Sequence, residues 1–141
     1  MERGANIHAT AVALDAGRGV LIVGPSGSGK SSFALRLMAL GAELVADDRV
    51  DLRAEGGALF ARAPAAIAGQ IEARGAGILH AAALAEARIV LALDLGREET
   101  ERLPPRREIA FLGISLPLVL RLQHGHLEAT VLQWLKGGRV A

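Results

Sequence analysis

The sequence predicts an α/β domain: a sheet around a phosphate-binding loop, with helices packed against it and an antiparallel hairpin. Three observations carry this prediction. Gly24-Pro25-Ser26-Gly27-Ser28-Gly29-Lys30-Ser31 fits the pattern G-x-x-x-x-G-K-[ST]. A short apolar run, Gly19 to Val23, enters that stretch, and a run at helical spacing, Ser31 to Leu40, leaves it. A second apolar run, Arg88 to Leu95, reads as another buried strand ending near an acid, Asp94.

The pattern answers the charge of a nucleoside triphosphate tail. Glycines let the backbone curl so that several N–H groups face phosphate oxygens. The following helix N-terminus adds partial positive charge. Lys30 is expected to reach the β- and γ-phosphates, and the Ser31 hydroxyl to ligate Mg²⁺. In a chain of this composition the pattern arises by chance roughly two times in a thousand. Lys30 is also one of two lysines beside fourteen arginines, and the two cations are not equivalent at a triphosphate.

A length of 141 residues suits one domain spanning 1–141. A formal net charge of +1 gives no case for nucleic-acid or membrane binding by bulk charge. Cysteine is absent, which removes disulfides, thiol chemistry and Cys-based zinc sites and suits a reducing cytoplasm. The first residues have no apolar h-region and no apolar run reaches membrane-spanning length, so a soluble cytoplasmic domain is expected.

In chain order, Asn6 to Leu14 reads as a strand carrying His8, and Asp15 to Gly19 as a turn. After the loop and its helix, which Gly41 stops, Glu43 to Asp48 is an apolar strand ending in two acids. Such an acid near a phosphate loop holds Mg²⁺ or acts as a base, and adjacent acids on a strand split their roles; a solvated turn is the plain alternative. Arg49 to Arg53 and Ala58 to Arg62 form a hairpin about Glu55-Gly56-Gly57. Pro64 opens a short helix to about Ile71. A Gly-x-Gly bend flanked by Glu72 and Arg74 follows, then an Ala-rich helix or loop, Ala81 to Ala87. Gly96 to Arg107 reads as a charged loop. Glu108 to Gly113 and Ile114 to Leu122 are strands, the second an edge because of Pro117. His126 to Leu135 is an amphipathic helix; His124 and His126 read as an exposed helix start more readily than as a metal pair.

Four landmarks in register resemble the catalytic domain of the HPr kinase/phosphorylase family. They are His8 before the loop, the loop Gly24 to Ser31, Val45-Ala46-Asp47-Asp48, and Glu72-Ala73-Arg74-Gly75-Ala76-Gly77-Ile78, matching E-x-R-G-x-G-I. The resemblance runs from about Ile7 to Pro117. It implies an HPr kinase/PEP-carboxykinase-like fold and an ATP- and Mg²⁺-dependent kinase acting on a serine of the phosphocarrier HPr. On that carry-over Lys30 binds phosphate, Ser31, Glu72 and Asp48 serve the metal, and Asp47 is the base, supported by a nearby His8. Arg74, Gly75 and Gly77 shape the signature loop. Arg102, in Glu101-Arg102-Leu103, is the nearest match to the family's D-R-L arginine.

The family implies a homo-oligomer, hexameric in its members. Typical members also carry an N-terminal domain, a longer segment after the signature and longer closing helices. Leu116 to Gln123 lacks the basic-Gly-Arg-Asn sequence associated with dephosphorylation, so kinase activity is expected ahead of phosphorylase activity. Two rival readings stand beside this one. One is a small-molecule kinase or generic phosphate-loop NTPase with Asp94 on the metal; the other is a regulatory module that binds ATP without transferring phosphate.

Overall fold

The computed structural model describes residues 3–123 and 125–141. His124, half of the His124–His126 pair, lies outside the described residues. The strands are β1 (Arg3–Ile7), β2 (Thr10–Ala13), β3 (Gly19–Val23), β4 (Glu43–Ala46), β5 (Val50–Glu55), β6 (Ala58–Arg62), β7 (Gln70–Ala73), β8 (Gly77–His80), β9 (Ala87–Glu99), β10 (Arg107–Phe111) and β11 (Ile114–Leu122). The helices are α1 (Lys30–Ala39) and α2 (Leu127–Gly137). No helix among the described residues is long and apolar enough to cross a membrane.

Nine strands form one mixed sheet in the order β1-β5-β6-β9-β3-β2-β4, with β11 beside β9 and β10 beside β11; β7 and β8 form a separate hairpin. The expected α/β sheet is present, and the Gly24–Ser31 stretch connects β3 to α1. Strand alternation sorts its side chains into two cores. Val12, Val20, Ile22, Leu91 and Leu93 pack with Phe33 and Leu37 of α1 and Val131 and Leu135 of α2. Ala11, Ala13 and Leu21 join the other core, with Val50, Leu52, Leu59 and Leu120. Both helices thus cover the same side of the sheet. In α1, residues Phe33, Ala34 and Leu37 are buried at helical spacing.

β9 is the hub. It runs parallel to β3 on one side. On the other it pairs first with β6, antiparallel, and then with β11, parallel.

Several expected elements change. The strand expected over Asn6–Leu14 is two strands. β1 pairs with β5, while β2 pairs with β3 and β4, so the chain breaks at His8–Ala9 to serve different neighbours. The helix expected after Pro64 shrinks to one 3₁₀ turn, Ala65–Ile67. The Gly-x-Gly bend is the tip of the β7–β8 hairpin. Ala81 to Ala87 forms no helix; Ala83 makes one parallel bridge to Leu44. β9 continues through Glu99 into the segment expected as loop.

Pro117 does not make β11 an edge. β11 pairs with β9 only from Leu118 onward, so the missing N–H falls where β11 has β10 as its sole neighbour.

Glu99 closes this region. The Arg107 guanidinium donates to both of its oxygens, Nε to Oε1 and Nη2 to Oε2, each at 2.9 Å. That bidentate pair ties β10 to the end of β9 and holds the Glu99 carboxyl below its ordinary range. A depressed carboxylate pKa adds stability above the unfolded value, 4.5, that is lost as pH falls through the folded one. Arg107→Ala should therefore lower the melting temperature by a constant amount above pH 4.5. The gap to wild type should close below that pH in a thermal-melt series.

Candidate active site

β3 ends at Val23, beside Asp94 of the parallel strand β9. The phosphate loop therefore leaves the sheet at the carboxyl end of a parallel pair, where open α/β sheets bind ligands. The loop's close fold demands glycine at Gly24: at φ 148° a Cβ there would lie 2.7 Å from Ser28 Oγ. Gly29, at φ 94°, caps α1 in the left-handed conformation and brings no side-chain hydrogen bond. The first amides of α1 stay uncapped, which suits an anion.

Lys30 is 7% exposed. Its Nζ donates to the carbonyls of Gly24 (2.9 Å) and Pro25 (3.1 Å), across the mouth of the loop. Ser28 Oγ is buried with no hydrogen-bond partner among the described residues. A glycine cradle, an uncapped helix start, an ammonium and an orphaned hydroxyl fit a triphosphate, and Ser31 with the nearby acids fits its magnesium. Among the described residues no three His, Asp or Glu side chains gather as a metal site of their own. Mg²⁺ commonly uses one or two protein carboxylates together with substrate phosphates.

The two adjacent acids diverge sharply. Asp47 is 6% exposed. Its Oδ1 accepts from Ser31 Oγ (2.6 Å) and Thr10 Oγ1 (2.9 Å), and its Oδ2 from the Glu72 backbone N–H (3.0 Å). Asp48 adopts φ 71°, a left-handed conformation that Asp tolerates better than most residues. That turn swings its side chain out to solvent, 71% exposed, where Oδ1 meets His8 Nε2 at 3.1 Å.

The expected closeness of His8 to Asp47 is therefore corrected: His8 pairs with Asp48, because β4 ends at Ala46 and the left-handed backbone at Asp48 turns that side chain out to the histidine. His8, Lys30, Ser31, Asp48, Glu72 and Arg74 line one cleft of about 200 Å³, with Ser26, Gly27 and Gly29 from the loop. Asp47 sits beneath it.

Arg102 is not brought to this cleft. β9 continues past Asp94 to Glu99, and Arg102 is exposed on the loop beyond it, not among the residues that line the cleft. Arg74 is the arginine lining the cleft, and it has no hydrogen bond or ion pair among the described residues. Asp94 accepts from the Gly96 N–H (2.8 Å) and is not among the residues lining the cleft.

Thr10 escaped the sequence reading. Its signal was a lone hydroxyl at the head of an otherwise apolar strand, β2; the structure buries it fully, so it must find a partner.

A model of the family described as HPr Serine kinase C-terminal domain matches residues 2–95. Among curated proteins, the HPr kinase/phosphorylase of Clostridium kluyveri is 48% identical over 68 residues, covering 48% of this chain and 22% of the relative. That of Clostridium perfringens is 47% identical over 68 residues, with the same shares. The chain thus spans about a fifth of the length of the curated relatives it matches. A solved structure titled "Structure of the Hpr(Ser) kinase/phosphatase from Coxiella burnetii" superposes with a TM-score of 0.77 at 27% identity, covering 94% of this chain and 88% of that one.

Asp47→Ala would leave two hydroxyls and an amide without their acceptor. It should lower unfolding free energy by about 2 kcal/mol. Asp48→Asn, at an exposed left-handed position that Asn also tolerates, should change it by under about 0.5 kcal/mol. Urea denaturation of both variants checks the contrast.

Proposed function

The chain belongs to the HPr serine kinase C-terminal domain family, and on that footing we propose that it transfers the γ-phosphoryl group of Mg-ATP to a serine hydroxyl of an HPr-like phosphocarrier protein. The observation that carries the reading is the split of Asp47 and Asp48 beside Lys30. One acid is buried on the loop serine, and the other is exposed in the cleft beside a histidine. The names of the relatives, and of the Coxiella burnetii structure, support the same reaction.

Roles follow from position. Lys30 and the loop amides hold the phosphates. Ser31 and Glu72, from the cleft wall, would hold the metal, and Asp47 orients the Ser31 hydroxyl from behind. Bound Mg²⁺ would offset phosphate charge and align the transferring group.

We assign the base to Asp48 rather than Asp47. Asp47 has both oxygens occupied by internal donors, whereas Asp48 faces the cleft with one oxygen on His8. The serine proton passes to the Asp48 carboxylate as the serine oxygen bonds to the γ-phosphorus and the bond to the β–γ bridging oxygen breaks. His8 fixes the carboxylate's orientation. Arg74, rather than Arg102, the nearest match to the family's D-R-L arginine, adds positive charge on the acceptor side. Use of ATP and the lack of cysteine suit a cytoplasmic setting.

Purified protein incubated with Mg-ATP and HPr should yield phosphoserine on HPr by mass spectrometry. Asp48→Asn should lower the rate about a thousandfold with nucleotide binding retained, and Asp94→Ala should change it by no more than about threefold. Loss with Asp94→Ala and not with Asp48→Asn would return the chain to a generic phosphate-loop enzyme. ATP binding without any transfer would make it a nucleotide-sensing module.

A further inference from the structure

We propose that the cavity on the opposite side of the phosphate loop from Asp48 is the pocket for the nucleoside of the triphosphate, with Arg121 as its specificity-determining residue; this deepens the phosphotransfer reading and rests on it for the ligand. The cavity is about 260 Å³. Ser28, Gly29, Ser32 and Phe33 wall it on the loop side. Arg121 and Leu122 from the end of β11, and Leu127 and Glu128 from the start of α2, close it.

Geometry selects the nucleoside. Gly29 and Ser32 border both this cavity and the cleft that holds Asp48. A triphosphate lying along the loop with its γ end at Lys30 and Asp48 must send its other end away from the acids. This cavity receives it. The walls suit a base and sugar: Leu122, Leu127, Leu95 and Phe33 give apolar surface, and Glu128, whose Oε1 accepts from Arg36 Nε in the same wall, keeps its other oxygen as an acceptor for ribose hydroxyls. Arg121 is exposed, and its side chain has no hydrogen bond or ion pair among the described residues. A free guanidinium at the rim is suited to stacking on a planar base.

A break in strand register puts Arg121 there. Leu120 of β11 sits opposite Asp94, yet the next residue, Arg121, sits opposite Glu98. Leu95, Gly96 and Arg97 therefore bulge out of β9 beside the loop, where a Cβ on Gly96 would come within 2.8 Å of Pro25 Cδ. Bulges commonly re-aim side chains next to active sites. Arg121, Leu127 and Glu128 all lie beyond Leu95, where the family match ends. Nucleotide preference in this chain is thus set by residues outside the matched segment.

Calorimetric titration of the full chain with Mg-ATP and, separately, Mg-tripolyphosphate tests the assignment. Arg121→Ala should weaken ATP binding about tenfold and leave tripolyphosphate affinity within about twofold. Retained tripolyphosphate binding also reports a folded loop. Glu128→Gln should likewise weaken ATP selectively. Unchanged ATP affinity in both variants, or equal losses for the two ligands, would overturn the pocket while leaving the kinase reading intact. Failure of the wild-type chain to bind either ligand would remove the phosphotransfer reading and the pocket together.

Discussion

A buried carboxylate is costly unless every oxygen finds a donor, and Asp47 meets that demand with groups from three separate parts of the chain. Thr10 comes from β2, Ser31 from the first turn of α1 and the Glu72 amide from β7. The apolar strand before Asp47 drives it inward, with Leu44, Val45 and Ala46 all buried. Once there, it binds the phosphate-loop helix, the central sheet and the small hairpin into one unit. Displacing any of the three would expose an unpaired charge in the interior. The site's geometry is therefore coupled to the fold's stability at a single side chain.

The same burial explains why the neighbouring acid is free. Asp47 points in, so the left-handed turn at Asp48 sends the next side chain out into the cleft, against His8. Two chemically identical groups, adjacent in sequence, acquire opposite surroundings: one dry and fully hydrogen-bonded, one wet with lone pairs to spare. Division of labour between carboxylates commonly arises from such a difference in environment.

β9 supplies the second constraint. Thirteen residues long, it meets β3, β6 and β11 along its length. Its first half supports the strand that feeds the phosphate loop, and its bulge after Asp94 presses against that loop. The acidic cleft and the cavity beyond the loop are thus arranged about one rigid support.

Local chemistry was legible in the sequence. The glycines, Lys30 and Ser31 define a phosphate loop because only certain residue types allow that backbone path and charge. The strands at 19–23, 43–46, 50–55 and 58–62 and both helices follow from hydrophobic period and turn residues. The landmarks His8, Asp47, Asp48 and Glu72 were also visible as residue types at the right intervals. Their pairings were not. The expected strand through Asp48 makes Asp47 and Asp48 diverge, but β4 stops at Ala46, and which acid is buried depends on Thr10 and the Glu72 amide, 37 and 25 residues away. Likewise, the break at His8, the length of β9, the interior position of β11 and the substitution of Arg74 for Arg102 at the cleft arise from strand pairing between distant segments. Period and propensity are properties of neighbours along the chain. Register, bulges and the satisfaction of buried polar groups belong to contacts made across space, and those only the tertiary structure decides.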